Sequence, residues 1–371
     1  MSEVRSFDLA PMQVASRIER LRPLLEARGC DVLVVTNLTN VRYLTGFTGS
    51  AATLVVGPDE VMFLTDGRYS DQAPRQLAES GVAARIEIAS TEQPKVLTAA
   101  VHGAARVGLE ATSVTWSQLR EFEGWFGGAT PVPTDGLVEG LRMVKDAGEL
   151  DRMRAAAGVA DAALASVRPM LAEGPTEREF GLALDMAIRH IGASGNSFET
   201  IVGSGPNSAL PPARPTDRRI TEGDLVVLDF GAIVDGYCSD MTRTVCIGAP
   251  TVDQQRLLDT VAEAQRIGVA AVRAGVTAAA VDLACREVID AAGWAECFSH
   301  GTGHGVGLDI HEAPRVAKTS DATLAVGHVV TVEPGVYLAD LGDGVRIEDT
   351  VVVTPDGCEP LTLTTKSTAV V

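Results

Sequence analysis

The run Asp224-Leu-Val-Val-Leu-Asp229-Phe230 restricts the architecture more than any other stretch of the chain. A short apolar run of this kind reads as a buried strand. It nevertheless carries Asp229, and a carboxylate on a buried strand is costly unless it is paired or bound to a cation. Asp235-Gly236 follows, the strongest short-range hairpin signal, and the return run YCSDMTRTVCI (237–247) carries Asp240. With Asp235-Gly236 as a two-residue turn, Asp240 faces Gly231 and lies diagonal to Asp229 on one face of the sheet. Two like charges that close repel strongly in a partly buried site. A bridging cation converts that repulsion into attraction. The structural alternative is an ion pair for each aspartate, with Arg243 the obvious partner.

The pattern recurs twice. HVVTVEPGVY (328–337) places Glu333 at the end of an apolar strand that Pro334-Gly335 breaks, and VRIEDTVVV (345–353) places Glu348 within another. Arg346 shares the face of Glu348 by the two-residue period of a strand, and Asp349 points to the other face. Three of the six histidines fall within His300–His311, HGTGHGVGLDIH. Histidine both binds metal and carries protons near neutral pH. The glycines at 301, 303, 305 and 307 let the backbone turn sharply and approach closely. No Lys-Ser/Thr follows them and no strand-to-helix context surrounds them, which excludes a P-loop and a dinucleotide-binding turn. Asp229, Asp240, His304, Glu333 and Glu348 together supply enough oxygen and charge for two divalent cations. Oxygen ligands with one nitrogen suit Mn²⁺ best, with Co²⁺, Fe²⁺ and Zn²⁺ as alternatives. Such a pair activates a water and polarises a carbonyl.

The remaining chain supplies the scaffold. Its 371 residues exceed one typical domain, and the boundary is expected near 135–145, giving 1–140 and 141–371. In the first part, an amphipathic helix over 12–28 precedes strands at 31–36, 52–56, 61–64, 85–88 and 107–110, with helices near 69–78 and 93–103. That alternation predicts an α/β layer structure. The Gly127–Pro133 segment reads as a loop because of its two prolines, and Glu139 to about Leu171 reads as one or two helices. Thr176 and Glu179 have the spacing of a capping box before a helix. A strand at 198–203 and a proline-rich irregular loop at 204–217 follow, with helices at 252–273 and 277–292. The net charge of −18 excludes a nucleic-acid or anionic-membrane partner. The six scattered cysteines contain no C-x-x-C pair, which points to free thiols in a reducing, cytoplasmic setting. The N-terminal residues show no secretory apolar segment.

These motifs resemble one family. VVLDFGA (226–232), GYCSDMTRT (236–244), HGTGHGVGLDIHE (300–312), TVEPGVY (331–337) and VRIEDT (345–350) are similar to the proline-specific metallopeptidases. These are Xaa-Pro dipeptidase and aminopeptidase P, of the methionine aminopeptidase–creatinase superfamily. NVRYLTGFTGS (40–50), LTDGRY (64–69) and VKDAGELDRMR (144–154) extend the resemblance over nearly the whole chain. It implies an α/β creatinase-like N-terminal domain and an α+β pita-bread C-terminal domain. It implies metal ligation by Asp229, Asp240, His304, Glu333 and Glu348, with Asp240 and Glu348 bridging. Glu333 would relay the proton of the attacking water, and His311 would stabilise the oxyanion. His300 would shape the proline pocket, and Arg346 would orient Glu348 and the substrate. The substrates implied are short Xaa-Pro peptides, and the assembly implied is a homodimer.

One position departs from the resemblance. In SGPNSALPPARPTD (204–217) the family usually has His after Leu-Pro, where this chain has Pro212, and some relatives have a second His where it has Ala213. A proline offers neither a proton nor an N–H. The alternative reading is therefore a metal-dependent enzyme of the same fold with a changed, non-prolyl or non-peptide substrate. A catalytically silent binding protein is disfavoured by the complete set of ligands.

Overall fold

Strand β1 (Val32–Val35) lies in the middle of the first of two compact units, Pro11–Arg142, in a computed structural model that describes residues 7–370. With β2 (Thr53–Val56), β3 (Val61–Thr65), β4 (Arg85–Ile88), β5 (Arg106–Glu110) and β6 (Thr130–Thr134) it forms one mixed sheet. The order is β4-β3-β2-β1-β5-β6. Helices α1 (Arg17–Ala27), α2 (Leu38–Thr45), α3 (Gln72–Glu79), α4 (Gln93–Ala100), α5 (Trp116–Trp125) and α6 (Leu137–Arg142) complete the α/β unit.

Two readings of this unit need correction. The Gly127–Pro133 segment is not a loop throughout, because Thr130–Thr134 is a strand parallel to β5 at the sheet edge. Thr130 donates its N–H to Ala105 O, on the β5 side. By the two-residue period, the N atoms of Pro131 and Pro133 therefore face away from the partner, the one arrangement an edge strand tolerates. Helices α2 and α5 stand where no element is expected. Each is defined by its cap: Asn37 accepts Thr39 N–H at 2.9 Å, and Thr115 forms a capping box with Gln118.

The rest of the described chain forms the second unit. Helices α7 (Ala147–Val167) and α8 (Glu177–Ile191) lead into β7 (Gly195–Asn196), β8 (Ile201–Ser204), β9 (Leu225–Phe230), β10 (Ala232–Val234), β11 (Tyr237–Cys238) and β12 (Met241–Cys246). Helices α9 (Val252–Ala271) and α10 (Ala278–Ala291) lead into β13 (Gly303–Gly305), β14 (Glu312–Val316), β15 (Val329–Val332), β16 (Gly335–Leu338), β17 (Asp343–Arg346), β18 (Asp349–Val353) and β19 (Cys358–Pro360). Each helix pair covers its own strands. Ala160, Leu164, Phe180 and Leu184 pack on Leu228, Phe230 and Val245. Val261, Ala264, Val281 and Cys285 pack on Val330, Val332, Val345 and Val351. This is the α+β half, and its capping box at Thr176–Glu179 is formed. Among the described residues no helix is long and apolar enough to cross a membrane.

The hairpin has the expected register. Val234 pairs with Tyr237 and Ile233 with Cys238, and the same offset continues as Phe230 with Met241 and Asp229 with Thr242. Asp235 and Gly236 both have positive φ, 42° and 78°, as a type I′ turn requires. VRIEDTVVV, by contrast, is not one strand. It divides at Ile347-Glu348: Val345-Arg346 pair with β16, and Asp349 onward pairs with β15. Glu348 thus sits at the junction of two sheets rather than within one.

Candidate metal centre

The site forms where strand ends from both halves of the second unit meet. Gly231 lies two residues beyond Asp229, between β9 and β10, and a Cβ at this position would lie 2.0 Å from Ser239 O. Glycine is thus the residue that lets the two aspartate-bearing strands approach. At Gly303 the same argument holds, with Thr331 O 2.0 Å from a notional Cβ. This close approach brings His304 beside the Glu333 strand. None of the four glycines at 301, 303, 305 and 307 has a positive φ, so the reason for them is packing and not the sharp turn expected.

Asp229, Asp240, His300, His304, His311, Glu333, Arg346 and Glu348 all line one cleft of about 760 Å³. His304 Nε2 lies 3.5 Å from Asp240 Oδ2 and 3.4 Å from Glu333 Oε1. Its Nδ1 faces Gly305 O at 2.9 Å. A carbonyl can only accept, which assigns the ring proton to Nδ1 and leaves the Nε2 lone pair aimed at the carboxylates. Burial, with the neighbouring His311 adding to it, lowers the His304 pKa to about 4, so the ring is neutral at pH 7. The ring of His311 stands 4.4 Å from that of His304, centroid to centroid, on the exposed side.

The carboxylates are short of partners. Burial first, then the charges of Glu348 and Asp229, push Asp240 well above the usual carboxylate range. Burial first, then Glu333 and Asp229, does the same to Glu348. Glu333 is pushed up to about 7, mainly by burial and against the nearby Arg346 charge. Asp229 Oδ1 and Glu348 Oε1 are buried without any hydrogen-bond partner. Orphaned buried carboxylate oxygens cost about 1–3 kcal/mol each or more. Atoms of Asp240, His304 and Glu348 lie within 4.8 Å of one another and could hold one metal ion. The donor set and the two orphaned oxygens fit divalent cations.

Ion pairs account for part of the charge, but not through Arg243, the partner that the structural alternative offers. Arg243 does not reach Asp229 or Asp240; its Nη2 donates to Asp349 Oδ1 at 2.8 Å. Arg346 pairs with Asp229 through Nη2, donates from Nε to Thr242 Oγ1 at 3.1 Å and from Nη1 to Tyr337 OH at 2.8 Å. Arg346 makes no direct hydrogen bond to Glu348. Thr242 links the two, donating from Oγ1 to Glu348 Oε2 at 2.8 Å.

Sequence reasoning missed the residues that fix these groups. Tyr337 OH lies 2.9 Å from His300 Nε2, whose Nδ1 meets Gly301 O at 2.8 Å. Arg346, Tyr337 and His300 therefore form one directed chain of donors ending on a carbonyl. Thr331 donates to Glu333 Oε1 at 3.1 Å, and Thr350 to Asp240 O at 2.8 Å. The available signal was the run of Thr and Tyr inside apolar strands, where each hydroxyl needs a partner. Pro211 and Pro212, with Phe198 and Ile201, form an apolar wall of the cleft.

Comparison with known proteins gives the family and the fold. Residues 151–355 match Metallopeptidase family M24, and residues 17–144 match the Creatinase/Prolidase N-terminal domain. An Xaa-Pro dipeptidase of Pyrococcus furiosus is 32% identical over 350 residues, covering 94% of this chain and 98% of its own. The solved structure of an Xaa-Pro dipeptidase from Bacillus anthracis superposes with a TM-score of 0.91 at 38% identity, covering 95% of this chain and 98% of that one. An X-Pro aminopeptidase from Thermotoga maritima gives 0.86 at 33% identity, covering 94% and 99%.

Proposed function

The chain belongs to metallopeptidase family M24, and on that premise we propose that it hydrolyses the peptide bond between an N-terminal residue and proline in short peptides. The observation that carries the reading is the convergence of four carboxylates and a neutral imidazole in one cleft, with two carboxylate oxygens left unsatisfied. Asp229, Asp240, His304, Glu333 and Glu348 would hold two divalent ions, Mn²⁺ by the oxygen-rich donor set, with Asp240 and Glu348 shared. When bound, such ions lower the pKa of a water and polarise the scissile carbonyl. The chain's own groups do the rest. Glu333 takes the proton of the attacking water and passes it to the leaving prolyl nitrogen. His311, exposed at the cleft, donates to the oxyanion. His300, fixed by Tyr337 and Gly301, walls the prolyl subsite. Arg346 holds Asp229 in place and through Thr242 steadies Glu348. A homodimer, implied by the resemblance, and a cytoplasmic location, supported by six unpaired cysteines, complete this reading.

The test is hydrolysis of an Xaa-Pro dipeptide and an Xaa-Pro-Yaa tripeptide by Mn²⁺-loaded protein. Cleavage of either supports the proposal, and binding of two metals per chain with neither cleaved refutes it. One observation favours a second reading, that of a changed substrate: Pro212 lines the cleft, at the position where the resemblance implies a His. Pro212→His then discriminates. A gain in Xaa-Pro turnover means that a substrate contact is missing here, and unchanged turnover means that the site works without it.

A further inference from the structure

Behind His300 lies an ion pair of a buried acid and a half-buried base that the catalytic reading does not use. Asp282 and Arg286 are one turn apart on α10, and Asp282 is 1% exposed. It occupies the same inward stripe as Val281, Cys285 and Ile289. A carboxylate in a helix core position must be satisfied by neighbours, and each of its oxygens is. Oδ1 accepts Thr302 N at 3.0 Å and Thr302 Oγ1 at 2.9 Å, and Oδ2 accepts Arg286 Nε at 2.7 Å.

The Arg286 guanidinium then reaches outward to the segment that carries His300. Nη1 donates to Phe298 O at 3.1 Å, and Nη2 donates to the carbonyl of His300 itself. Its Cζ stands 4.2 Å from the Phe298 ring centroid, and Phe298 meets His300 edge-on at 5.1 Å. Two carbonyls, one amide, one hydroxyl and one ring of residues 298–302 are thereby fixed by two side chains of a single helix turn. The grip extends further, because Thr302 O accepts Glu333 N at 2.7 Å. Only a planar guanidinium presents donors in a fork wide enough for this geometry. A lysine ammonium would satisfy Asp282 or one carbonyl, but not both carbonyls and the ring.

We propose that Asp282 and Arg286 are positioning residues for the substrate subsite, holding the 298–302 segment so that His300 faces the prolyl ring and Thr302 fixes the Glu333 backbone. The proposal rests on the reading of His300 as a subsite wall. The metal-side groups of this region have their own supports, Gly305 O and Thr331 Oγ1 for His304 and Thr331 Oγ1 for the Glu333 carboxylate, and Thr302 is held by Asp282, so loss of the Arg286 contacts acts on substrate binding and leaves metal loading intact.

A double-mutant cycle on the Mn²⁺-loaded enzyme tests this, with Arg286→Met, His300→Ala and the double variant, and KM, kcat and metal content read for each. We expect Arg286→Met to raise KM by about tenfold or more with metal stoichiometry unchanged, and the double variant to be no worse than His300→Ala alone. Arg286→Lys keeps the charge and helix pairing, and guards against a folding defect in the Met variant; we expect an intermediate rise in KM. Independent, additive effects of the two substitutions overturn the proposal, as does a parental KM in both Arg286 variants. A parental KM in His300→Ala removes instead the subsite role of His300, and the proposal falls with it.

Discussion

Tyr337→Phe removes one oxygen from the centre of the site and nothing else. That hydroxyl accepts from Arg346 Nη1 at 2.8 Å and lies 2.9 Å from His300 Nε2, and its residue is 9% exposed. The phenyl ring fills the same space, so no cavity opens. Buried Arg346 and half-buried His300 each lose a partner. A hydrogen bond to a charged donor is worth about 1.5–3 kcal/mol and a neutral one about 1 kcal/mol, while the lost hydroxyl no longer needs desolvation. The net cost is about 2–3 kcal/mol. Spent on the substrate complex and transition state, it lowers kcat/KM by about 30- to 150-fold. Metal affinity should hold within about threefold, because Asp229 and Thr242 still fix Arg346. Steady-state kinetics on an Xaa-Pro peptide and calorimetric titration with Mn²⁺ measure the two quantities. A fall in kcat/KM below threefold would show that the Arg346–Tyr337–His300 chain is decorative. Equal losses in metal affinity and activity would place Tyr337 among the supports of the metal and not of the substrate.

Three further outcomes follow from the same geometry. Asp240→Asn should abolish metal loading and activity without unfolding the chain; because ionised Asp240 is opposed by burial and by neighbouring carboxylates, the metal-free variant should melt above the metal-free parent at pH 8. Full activity in that variant would exclude a bridging role. Gly231→Ala should destabilise by a few kcal/mol, since its Cβ would lie 2.0 Å from Ser239 O, and calorimetry with metal titration should show Tm and affinity falling together; an unchanged Tm would mean the hairpin has slack. Burial lowers the pKa of His328 from 6.5 to about 4. Between these values the unfolded chain binds a proton that the folded chain refuses, so stability is lost as pH falls from 6.5 to 4 and no further below it. After discounting for solvent near the ring this is of order 1–2 kcal/mol. The stability gap between parent and His328→Asn should shrink by that amount over this window in urea titrations. A gap independent of pH would mean that His328 protonates freely in the fold.

What was legible in the sequence is what local rules determine. Asp235-Gly236 and the period of two were enough to set a register in which Asp229 pairs with Thr242 and Asp240 shares its face. The same rules went wrong where a tertiary partner decides. Pro131 and Pro133 forbid a central strand but not an edge strand, and position in the sheet is not a local property. VRIEDTVVV reads as one strand because alternation does not reveal a change of partner at Ile347-Glu348. Arg243 looks like a partner for the strand aspartates by nearness in sequence, but it pairs with Asp349, over one hundred positions away along the chain and 2.8 Å away in space. Tyr337, Asp282 and Arg286 carry sequence signals of the same local kind. Asp229 stood out because a carboxylate interrupted an apolar strand. Asp282 interrupts the apolar stripe Ala278-Val281-Cys285-Ile289 of a helix in the same way, with an arginine one turn on. An acid on a buried face must be answered by something, whether the period is two or 3.6. At Asp229 the answer includes Arg346, with one oxygen left without a hydrogen-bond partner; at Asp282 it is Thr302 and Arg286, and through them the loop that carries His300.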